Sequence, residues 1–316
     1  MDILYVVIPC YKEEEVLPET AKRIKDKMNS LISNRKISEK SRVMFVNDGS
    51  TDKTWEIIAN LHNSDKLFSG VNLSRNKGHQ NALLAGLMTA KNWADMVISM
   101  DADLQDDIDA VDAMIDKYYD GCDVVYGVRS SRDTDTFFKK FTAEGFYKFM
   151  KIMGADIVFN HADYRLMSRR ALEGLAEYKE ANMFLRGIVP QIGYKSDIVE
   201  YKRNKRFAGE SKYPLKKMLA FAFDGLTSFS VKPIKIITRL GIVISFFGII
   251  ALIWSITVKI LGHSESGWSS LMASIWLIGG IEIMSIGIIG EYIGKIYKET
   301  KERPRYIIQD ILNEED

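Results

Sequence analysis

Two aspartates spaced two residues apart, Asp101 and Asp103, directly follow an apolar run at 96–100. In an extended stretch, residues i and i+2 face the same way, so both carboxylates can point to one side of the chain. Hard oxygen ligands of this kind suit Mg²⁺ or Mn²⁺. A metal there would neutralise the charge that develops on a departing nucleoside diphosphate. Taken alone, the spacing is more typical of a loop or of a helix cap, so its surroundings must decide.

Two further polar clusters follow apolar runs in the same way. The cluster 8–11 (Ile-Pro-Cys-Tyr) closes the run 3–8, and the cluster 46–50 (Val-Asn-Asp-Gly-Ser) closes the run 43–46. In a parallel sheet such runs are buried strands, and ligands bind in the crevice beyond their carboxyl ends. We therefore expect the three clusters to converge on one crevice, which favours the metal interpretation of the aspartate pair.

Strand-like and helix-like segments alternate along the first 130 residues. The apolar runs lie at 3–8, 43–46, 71–73, 96–100 and 124–126, and the helical patterns lie near 14–31, 51–61, 79–90 and 108–119. This alternation predicts an α/β fold with a mostly parallel sheet covered by helices on both faces. Residues 131–200 are expected to add helices and a few further strands, so we predict a catalytic domain over 1–200.

The following segments are typical of a membrane anchor. The run 240–258 carries no charge and is long enough to span a bilayer, and the run 271–290 is interrupted only by Glu282. We predict a basic amphipathic interfacial segment at 201–235, a two-helix transmembrane domain at 236–292 and a C-terminal tail at 293–316. An ordinary packing helix is the alternative for the interfacial segment. Ten basic residues lie in this segment or just after it, before the first apolar run: Lys202, Arg203, Lys205, Arg206, Lys212, Lys216, Lys217, Lys232, Lys235 and Arg239.

Charge asymmetry predicts the orientation of these two spans. Basic residues are frequent before the first span and after the second, whereas the short loop between them holds only Lys259. Both termini and the catalytic domain should therefore be cytoplasmic, at the inner cell membrane. No signal peptide is evident at the N-terminus. Glu282 is expected to make a helix–helix contact rather than to serve a proton or lipid role. Small residues would allow close helix approach, including approach between subunits: Gly279, Gly280, Gly287 and Gly290.

Composition narrows the class of protein further. The 316 residues carry a formal net charge of +1, and 27% of them are charged. The net charge of the chain therefore does not indicate nucleic-acid binding. The only cysteines, Cys10 and Cys122, are too few for a disulfide framework and lack metal-ligand spacing. We expect both to be reduced and structural.

Nine motifs, together covering nearly the whole chain, resemble the family 2 glycosyltransferases of GT-A fold. They are IPCYKEEE (8–15), FVNDGSTDKT (45–54), LSRNKGHQNALLAGL (73–87), DADLQD (101–106), YGVRSSR (126–132), ADYRLMSR (162–169), FLRG (184–187), GESKYPLKKM (209–218) and GEYIGKIYKETKERPRY (290–306). The set is most similar to the polyprenyl-phosphate glycosyltransferases, which include dolichol-phosphate mannose synthase. The last motif resembles the bactoprenol glucosyltransferase branch.

The resemblance implies roles on the donor side of the site. A metal and the diphosphate would be served by Asp101, Asp103 and Gln105, and the nucleotide would be held by Pro9, Tyr11, Glu13, Asp48 and Ser50. Asp48 would bind the base, although a simple turn with Gly49 is the alternative. Arg75 and the helix start at Gly78-His79 could contact phosphate, but a surface arginine and an ordinary helix cap fit equally well.

On the acceptor side we predict Arg129, Arg132 and Lys212 as contacts of the acceptor phosphate, with a structural ion pair as the alternative for the arginines. The catalytic residues would be Asp103, Arg129 and Asp163. Asp163 resembles the position proposed as a general base in relatives, but it could instead orient Arg165 or the donor hydroxyls. The chain departs from the family at Lys77, where an aromatic residue is frequent, and at Asp106-Asp107-Ile108, where Asp-Pro-Pro is common.

The resemblance thus implies an inverting transfer of a hexose, with glucose from UDP-glucose as the first choice, to undecaprenyl phosphate at the cytoplasmic membrane face. The product would be a lipid-phosphate sugar used to modify a cell-surface glycan. GDP-mannose, UDP-GlcNAc, UDP-galactose and an aminoarabinose donor remain open. Two alternatives are a catalytically silent nucleotide-binding scaffold and a processive polysaccharide synthase. The intact aspartate pair disfavours the first. The second is disfavoured because a Gln-x-x-Arg-Trp motif is absent from the sequence.

Overall fold

The computed structural model describes residues 1–130, 161–180, 184–202, 232–261 and 267–313. The chain divides into two compact units. The first contains every strand of the described residues, and the second contains two long helices.

An eight-stranded mixed sheet forms the centre of the first unit. Its strands are β1 (Leu4–Cys10), β2 (Arg42–Asn47), β3 (Phe68–Leu73), β4 (Met96–Ser99), β5 (Val124–Arg129), β6 (His161–Ser168), β7 (Ser196–Tyr201) and β8 (Ile308–Leu312), in the spatial order β7-β5-β6-β4-β1-β2-β3-β8. The neighbours β4, β1, β2 and β3 are parallel, and so are β5 and β7, whereas β6 and β8 are antiparallel to their neighbours. The α/β prediction is confirmed.

Helices alternate with the first five strands, as the apolar pattern predicts. They are α1 (Leu17–Ser33), α2 (Thr54–Ser64), α3 (His79–Ala90) and α4 (Ala110–Tyr119), followed by the short helices α5 (Arg169–Ala176) and α6 (Leu185–Ile188) and a 3₁₀ turn at Val189–Ile192. Helix α1 buries Ile24, Met28 and Leu31, which lie on one helical face. Strands β1 and β3 are buried along their whole length, which is typical of strands covered on both sides.

The predicted boundaries differ from the observed ones at helix starts. Helix α3 begins at His79 as predicted, but α1 and α2 each begin three residues later than the sequence pattern indicates. The residues before them form the polar turns that follow β1 and β2. The amide of Lys12 donates to Ser50 Oγ at 3.0 Å, and that of Glu13 donates to Thr54 Oγ1 at 3.0 Å. Hydrogen bonds between two neighbouring loops therefore take the place of the first helical turn.

The expected C-terminal tail, 293–316, carries regular structure of its own. The last helix continues to Thr300, and Ile308–Leu312 forms the edge strand β8 beside β3. The side chain of Asn72 on β3 donates to Asp310 Oδ2 at 2.9 Å and accepts from Asn47 Nδ2 at 2.8 Å. A polar chain thus runs across three neighbouring strands at this edge of the sheet.

The second unit contains two long helices that contact each other, α7 (Lys232–Ile260) and α8 (Trp268–Thr300). Large apolar side chains such as Phe246, Phe247 and Ile283 are exposed on them. Among the described residues, no helix combines the length and the apolar character needed to cross a membrane.

Candidate active site

The turns after β1 and β2 meet at the carboxyl ends of these parallel strands, as predicted. The amide of Asp48 donates to the carbonyl of Cys10 at 2.9 Å. Pro9 is buried at the end of β1, whereas Tyr11 is 43% exposed and Ser50, which accepts from the amide of Lys12, is partly exposed. The exposed aromatic ring and the partly exposed hydroxyl give this crevice a surface on which a flat, polar ligand could lie.

Asp48 ties the second of these turns to the start of helix α3. Its carboxylate accepts hydrogen bonds from the amides of Lys77 and Gly78 at 2.7 and 2.9 Å, and the residue is almost fully buried. Burial raises the pKa of the Asp48 carboxyl, although the two amides oppose this shift. The predicted role of Asp48 as a ligand of the base stays a prediction, because in this structure the side chain holds the loop that carries Arg75.

Gly49 makes that loop contact sterically feasible. It adopts a φ of +60°, and a Cβ atom there would lie 2.4 Å from the carbonyl carbon of Arg75. Only glycine accepts both the left-handed backbone and the close approach without strain. Arg75 itself is exposed.

The segment after β4 presents its polar residues on one side. Asp101, Asp103 and Gln105 are partly exposed, whereas the intervening Ala102 and Leu104 are buried. The exposure of both aspartates agrees with the predicted common side, but the backbone here is a turn, with Leu104 at a φ of +58°, and not the extended stretch that the prediction assumed. The amide of Gln105 donates to Asp103 Oδ1 at 3.1 Å, so the loop itself orients one of the carboxylates. Partial desolvation and the nearby carboxylates of Asp163 and Asp103 raise the pKa of Asp101, and His79 opposes the shift.

Asp163, on β6, is the most extensively hydrogen-bonded carboxylate of the site. Oδ1 accepts from Arg165 Nη2 at 2.6 Å and from Arg186 Nε at 3.2 Å, and Oδ2 accepts from Arg186 Nη2 at 3.0 Å and Gln80 Nε2 at 3.2 Å. Burial alone would oppose ionisation, but Arg186, His79 and Arg165 hold the pKa of Asp163 well below its usual range. The carboxylate is therefore a stable anion that orients two guanidinium groups.

Gln80 and Arg165 also fix the short helix that carries Arg186. Gln80 Oε1 accepts from the amide of Leu185 at 3.1 Å, and Arg165 Nη1 lies 3.4 Å from the carbonyl of Leu185. Arg165 is completely buried, whereas a third of the Arg186 side chain is exposed. Asp163 thus holds one buried arginine and one that faces solvent.

His79 lies between the two acidic centres of the site. Its Nε2 atom is 3.6 Å from both Asp101 Oδ1 and Asp163 Oδ2. Desolvation opposes protonation, but the carboxylates of Asp163 and Asp101 raise the pKa of His79 above its usual value. The imidazole is therefore a cationic or strongly polar neighbour at the start of α3, where helical amides also favour an anion.

A second buried carboxylate, Asp106, follows the aspartate loop. Its Oδ1 atom accepts from the hydroxyl of Tyr201 at 2.6 Å, and this hydroxyl lies 3.4 Å from Arg129 Nε. Burial and the charge of Asp101 raise the pKa of Asp106 to about 6, whereas Tyr201 and Arg129 act in the opposite direction. Arg129 therefore lies at the end of a hydrogen-bonded group that begins at the aspartate loop.

Two predicted acceptor contacts, Arg132 and Lys212, lie outside the described residues, together with most of the predicted interfacial segment. Within the described part of the chain, no group of three or more His, Cys, Asp or Glu side chains is arranged to hold a metal ion. Asp101 and Asp103 could supply two protein ligands. This suits a hard cation that also binds substrate phosphates and water. Cys10 and Cys122 are both buried and free.

Several residues of this cluster escaped the sequence prediction. Gln80, Arg186, Asp106 and Tyr201 were not predicted as site residues, although the FLRG motif contains Arg186 and the GHQ stretch contains Gln80. Their roles depend on contacts between residues that lie 83, 23 and 95 positions apart. Sequence spacing carries no signal for such contacts.

Comparison with known proteins gives a consistent family assignment. The model of glycosyl transferase family 2 matches residues 5–176, and the model of the GtrB C-terminal hairpin matches residues 232–296. The first match covers β1 to α5, including the aspartate loop and Asp163.

Individual relatives match over nearly their whole length. The uncharacterized glycosyltransferase YkoT of Bacillus subtilis is 54% identical, over 99% of this chain and 93% of the relative. The prophage bactoprenol glucosyl transferase homolog of Escherichia coli is 40% identical, over 97% and 98%. The bactoprenol glucosyl transferase of Shigella phage SfX is 39% identical, over 96% and 98%. The chain is therefore a glycosyltransferase, and it belongs to glycosyl transferase family 2, in the group that carries the GtrB C-terminal hairpin.

Proposed function

We propose that this enzyme transfers a hexose, with glucose from UDP-glucose as the first candidate, to undecaprenyl phosphate or a similar polyprenyl phosphate. The observation that carries the proposal is the state of Asp163. A sugar hydroxyl must lose a proton as it attacks, and a carboxylate usually accepts that proton. Asp163 already accepts hydrogen bonds from Arg165, Arg186 and Gln80, and its pKa is well below the usual range. It is therefore a poor proton acceptor.

A phosphate acceptor needs no such base. A phosphate monoester has a second pKa near 6, so it is largely dianionic at neutral pH and can attack without giving up a proton. Its oxygen would form the new bond to the anomeric carbon while the bond to the nucleoside diphosphate breaks. Attack from the opposite face inverts the configuration. The names of the Escherichia coli and phage relatives support a bactoprenol acceptor and glucose as the sugar.

Positive groups surround the place where the diphosphate would leave. Asp101 and Asp103, with Gln105 beside them, would hold Mg²⁺ or Mn²⁺, which supplies charge neutralisation for the departing diphosphate. Arg186 is partly exposed and is oriented by Asp163, so its guanidinium can face an anion in the crevice. His79, at the start of α3, lies 3.6 Å from Asp101 Oδ1 and adds a further group that can carry positive charge. The protein thus contributes preorganised cations rather than a base.

We further propose that helices α7 and α8 anchor the enzyme in the cytoplasmic membrane, with both chain ends in the cytoplasm. The uncharged run 240–258, the basic residues that flank the two helices and the water-insoluble acceptor support this proposal. A protease site inserted between residues 264 and 267 should be cut only from outside sealed cells. Cutting from the cytoplasmic side would contradict the proposed orientation.

The full-length protein in detergent, incubated with a panel of nucleotide sugars, Mg²⁺ or Mn²⁺ and undecaprenyl phosphate, tests the function. We expect a lipid product whose mass corresponds to one added hexose, with UDP-glucose as the best donor. Inactivated Asp103→Asn enzyme serves as the control. A product of several sugars would favour a processive synthase, and nucleotide binding without transfer under all conditions would favour a silent scaffold.

A further inference from the structure

The hydroxyl of Tyr201 lies between a buried carboxylate and an arginine. The Tyr201 hydroxyl donates to Asp106 Oδ1 at 2.6 Å, and its oxygen accepts from Arg129 Nε at 3.4 Å. A phenol has one proton to donate and lone pairs to accept, so both interactions can exist together. Asp106 and Tyr201 are 2% and 3% exposed, whereas Arg129 is partly exposed. The group therefore extends from the protein interior to the surface.

The fold holds Tyr201 in this place through its backbone and its ring. Tyr201 pairs with Arg129 in the register of β7 and β5, and its carbonyl accepts from the amide of Ser130 at 2.9 Å. Its ring packs edge-on against Tyr164, with centroids 5.2 Å apart, and the Tyr164 hydroxyl donates to the carbonyl of Asp107 at 2.9 Å. Two tyrosines thus connect the end of β5 to the segment that follows the aspartate loop.

Burying the Asp106 carboxylate costs folding free energy, and packing alone does not explain why a carboxylate lies there. Asp106 Oδ2 has no hydrogen-bond partner among the described residues. An unsatisfied buried oxygen destabilises a fold, and an apolar residue of similar size would avoid this. Asp106 instead fixes the direction of the Tyr201 proton, which leaves the lone pairs of the hydroxyl oxygen available to Arg129. Because this interaction uses Nε, it orients the plane of the Arg129 guanidinium group.

We propose that Tyr201 is a positioning residue for the acceptor phosphate. It holds Arg129 in the orientation that binds the phosphate, and through Asp106 it couples that arginine to the loop carrying Asp101 and Asp103. This inference rests on the proposed function. It adds Tyr201, on β7, to a site whose other described members lie on elements earlier in the chain.

Replacing Tyr201 by Phe removes the hydroxyl and keeps the ring packing. We expect the KM for polyprenyl phosphate to rise roughly three- to tenfold, the effect of losing one hydrogen bond, while the KM for the donor and kcat stay within about twofold. The matched control is Tyr118→Phe on helix α4, which removes another tyrosine–carboxylate hydrogen bond, to Asp2 Oδ2 at 3.0 Å. This control should leave both KM values unchanged.

A double-mutant cycle separates positioning from general structural support. In an Arg129→Ala background, Tyr201→Phe should add less than about a twofold change in acceptor KM, because the arginine it positions is gone. Asp106→Asn provides a second variant that keeps the shape and still accepts from the tyrosine, and it should raise the acceptor KM less than Tyr201→Phe does. Circular dichroism of each variant verifies folding.

The outcomes distinguish this inference from the proposed function. A wild type that transfers sugar to no polyprenyl phosphate refutes both. A wild type that transfers, together with a Tyr201→Phe variant of unchanged acceptor KM, refutes only the positioning role. The same holds if the Tyr201→Phe effect is equally large without Arg129, or if donor and acceptor KM rise together.

Discussion

Replacing Asp163 by Asn tests whether this carboxylate is an organiser of arginines or a general base. The substitution keeps the size of the side chain but removes its negative charge from between Arg165 and Arg186. Asn also presents one oxygen where Asp presents two, so its NH₂ group must face donors that previously bonded a carboxylate oxygen. Arg165 is affected most, because it is fully buried and its Nη2–Oδ1 distance is 2.6 Å.

The expected loss of stability follows from these contacts. Removing one partner of a buried ion pair costs about 3 to 5 kcal/mol, because the other charge stays buried and uncompensated. A third of the Arg186 side chain is exposed, so water can solvate that cation once the carboxylate is gone. We therefore expect the lower end of the range, about 3 kcal/mol of unfolding free energy. Turnover should fall as well, since a misplaced Arg186 no longer faces the leaving group.

Denaturant unfolding of the full-length protein in detergent measures the stability, and a pH profile of kcat at saturating donor tests the chemistry. The matched control is Asp123→Asn. Asp123 forms another carboxylate–arginine pair, with Arg170, and its carboxylate also accepts from the hydroxyl of Ser168. This substitution should lower stability less and leave kcat unchanged. The organiser role is wrong if Asp163→Asn lowers the free energy of unfolding by less than about 1 kcal/mol, removes the limb of the kcat pH profile that titration of a general base produces, and regains activity at high pH.

Three further predictions follow from individual residues. Asp103→Asn should lower kcat by several orders of magnitude while leaving the melting temperature unchanged, and full wild-type activity in excess EDTA would contradict the metal assignment. Gly49→Ala should destabilise the protein by roughly 1 to 3 kcal/mol and raise the donor KM, because its Cβ would collide with the backbone of Arg75; crystallography or donor titration checks this. The lowered pKa of Asp163 means that its stabilisation is complete above its unfolded pKa of about 4 and is lost as pH falls toward the folded value. Acid titration of unfolding should therefore show a steeper loss for the wild type than for Asp163→Asn.

The sequence predicted the parts of this fold that depend on local pattern. The strands buried along their whole length and the start of α3 at His79, directly after Gly78, agree with it. The exposure of Asp101 and Asp103 on either side of the buried Ala102 also agrees with it, although the segment is a turn and not the extended stretch that the prediction assumed.

Long-range contacts limited the remaining predictions. Spacing placed Asp48 at the end of a strand, but its bonds to the amides of Lys77 and Gly78 depend on how a loop 29 residues away returns to it. Arg186 lies in a four-residue helix without periodicity, and its role comes from Asp163, which a different strand provides. The short strand β8 escaped prediction because its five residues follow a long helix and alternate only weakly.

During translation, strand β8 is synthesised long after its partner strand β3. Its partner β3 is complete by residue 73, but the edge of β3 stays uncovered until residues 308–312 emerge from the ribosome. An uncovered strand edge can pair with another chain. The nascent first unit therefore has an aggregation-prone strand edge throughout the synthesis of both long helices. Asp310 then reaches Asn72, which bonds Asn47 at the end of β2, directly before the turn that carries Asp48. The turn that carries Asp48 thus gains this support only when translation is nearly complete.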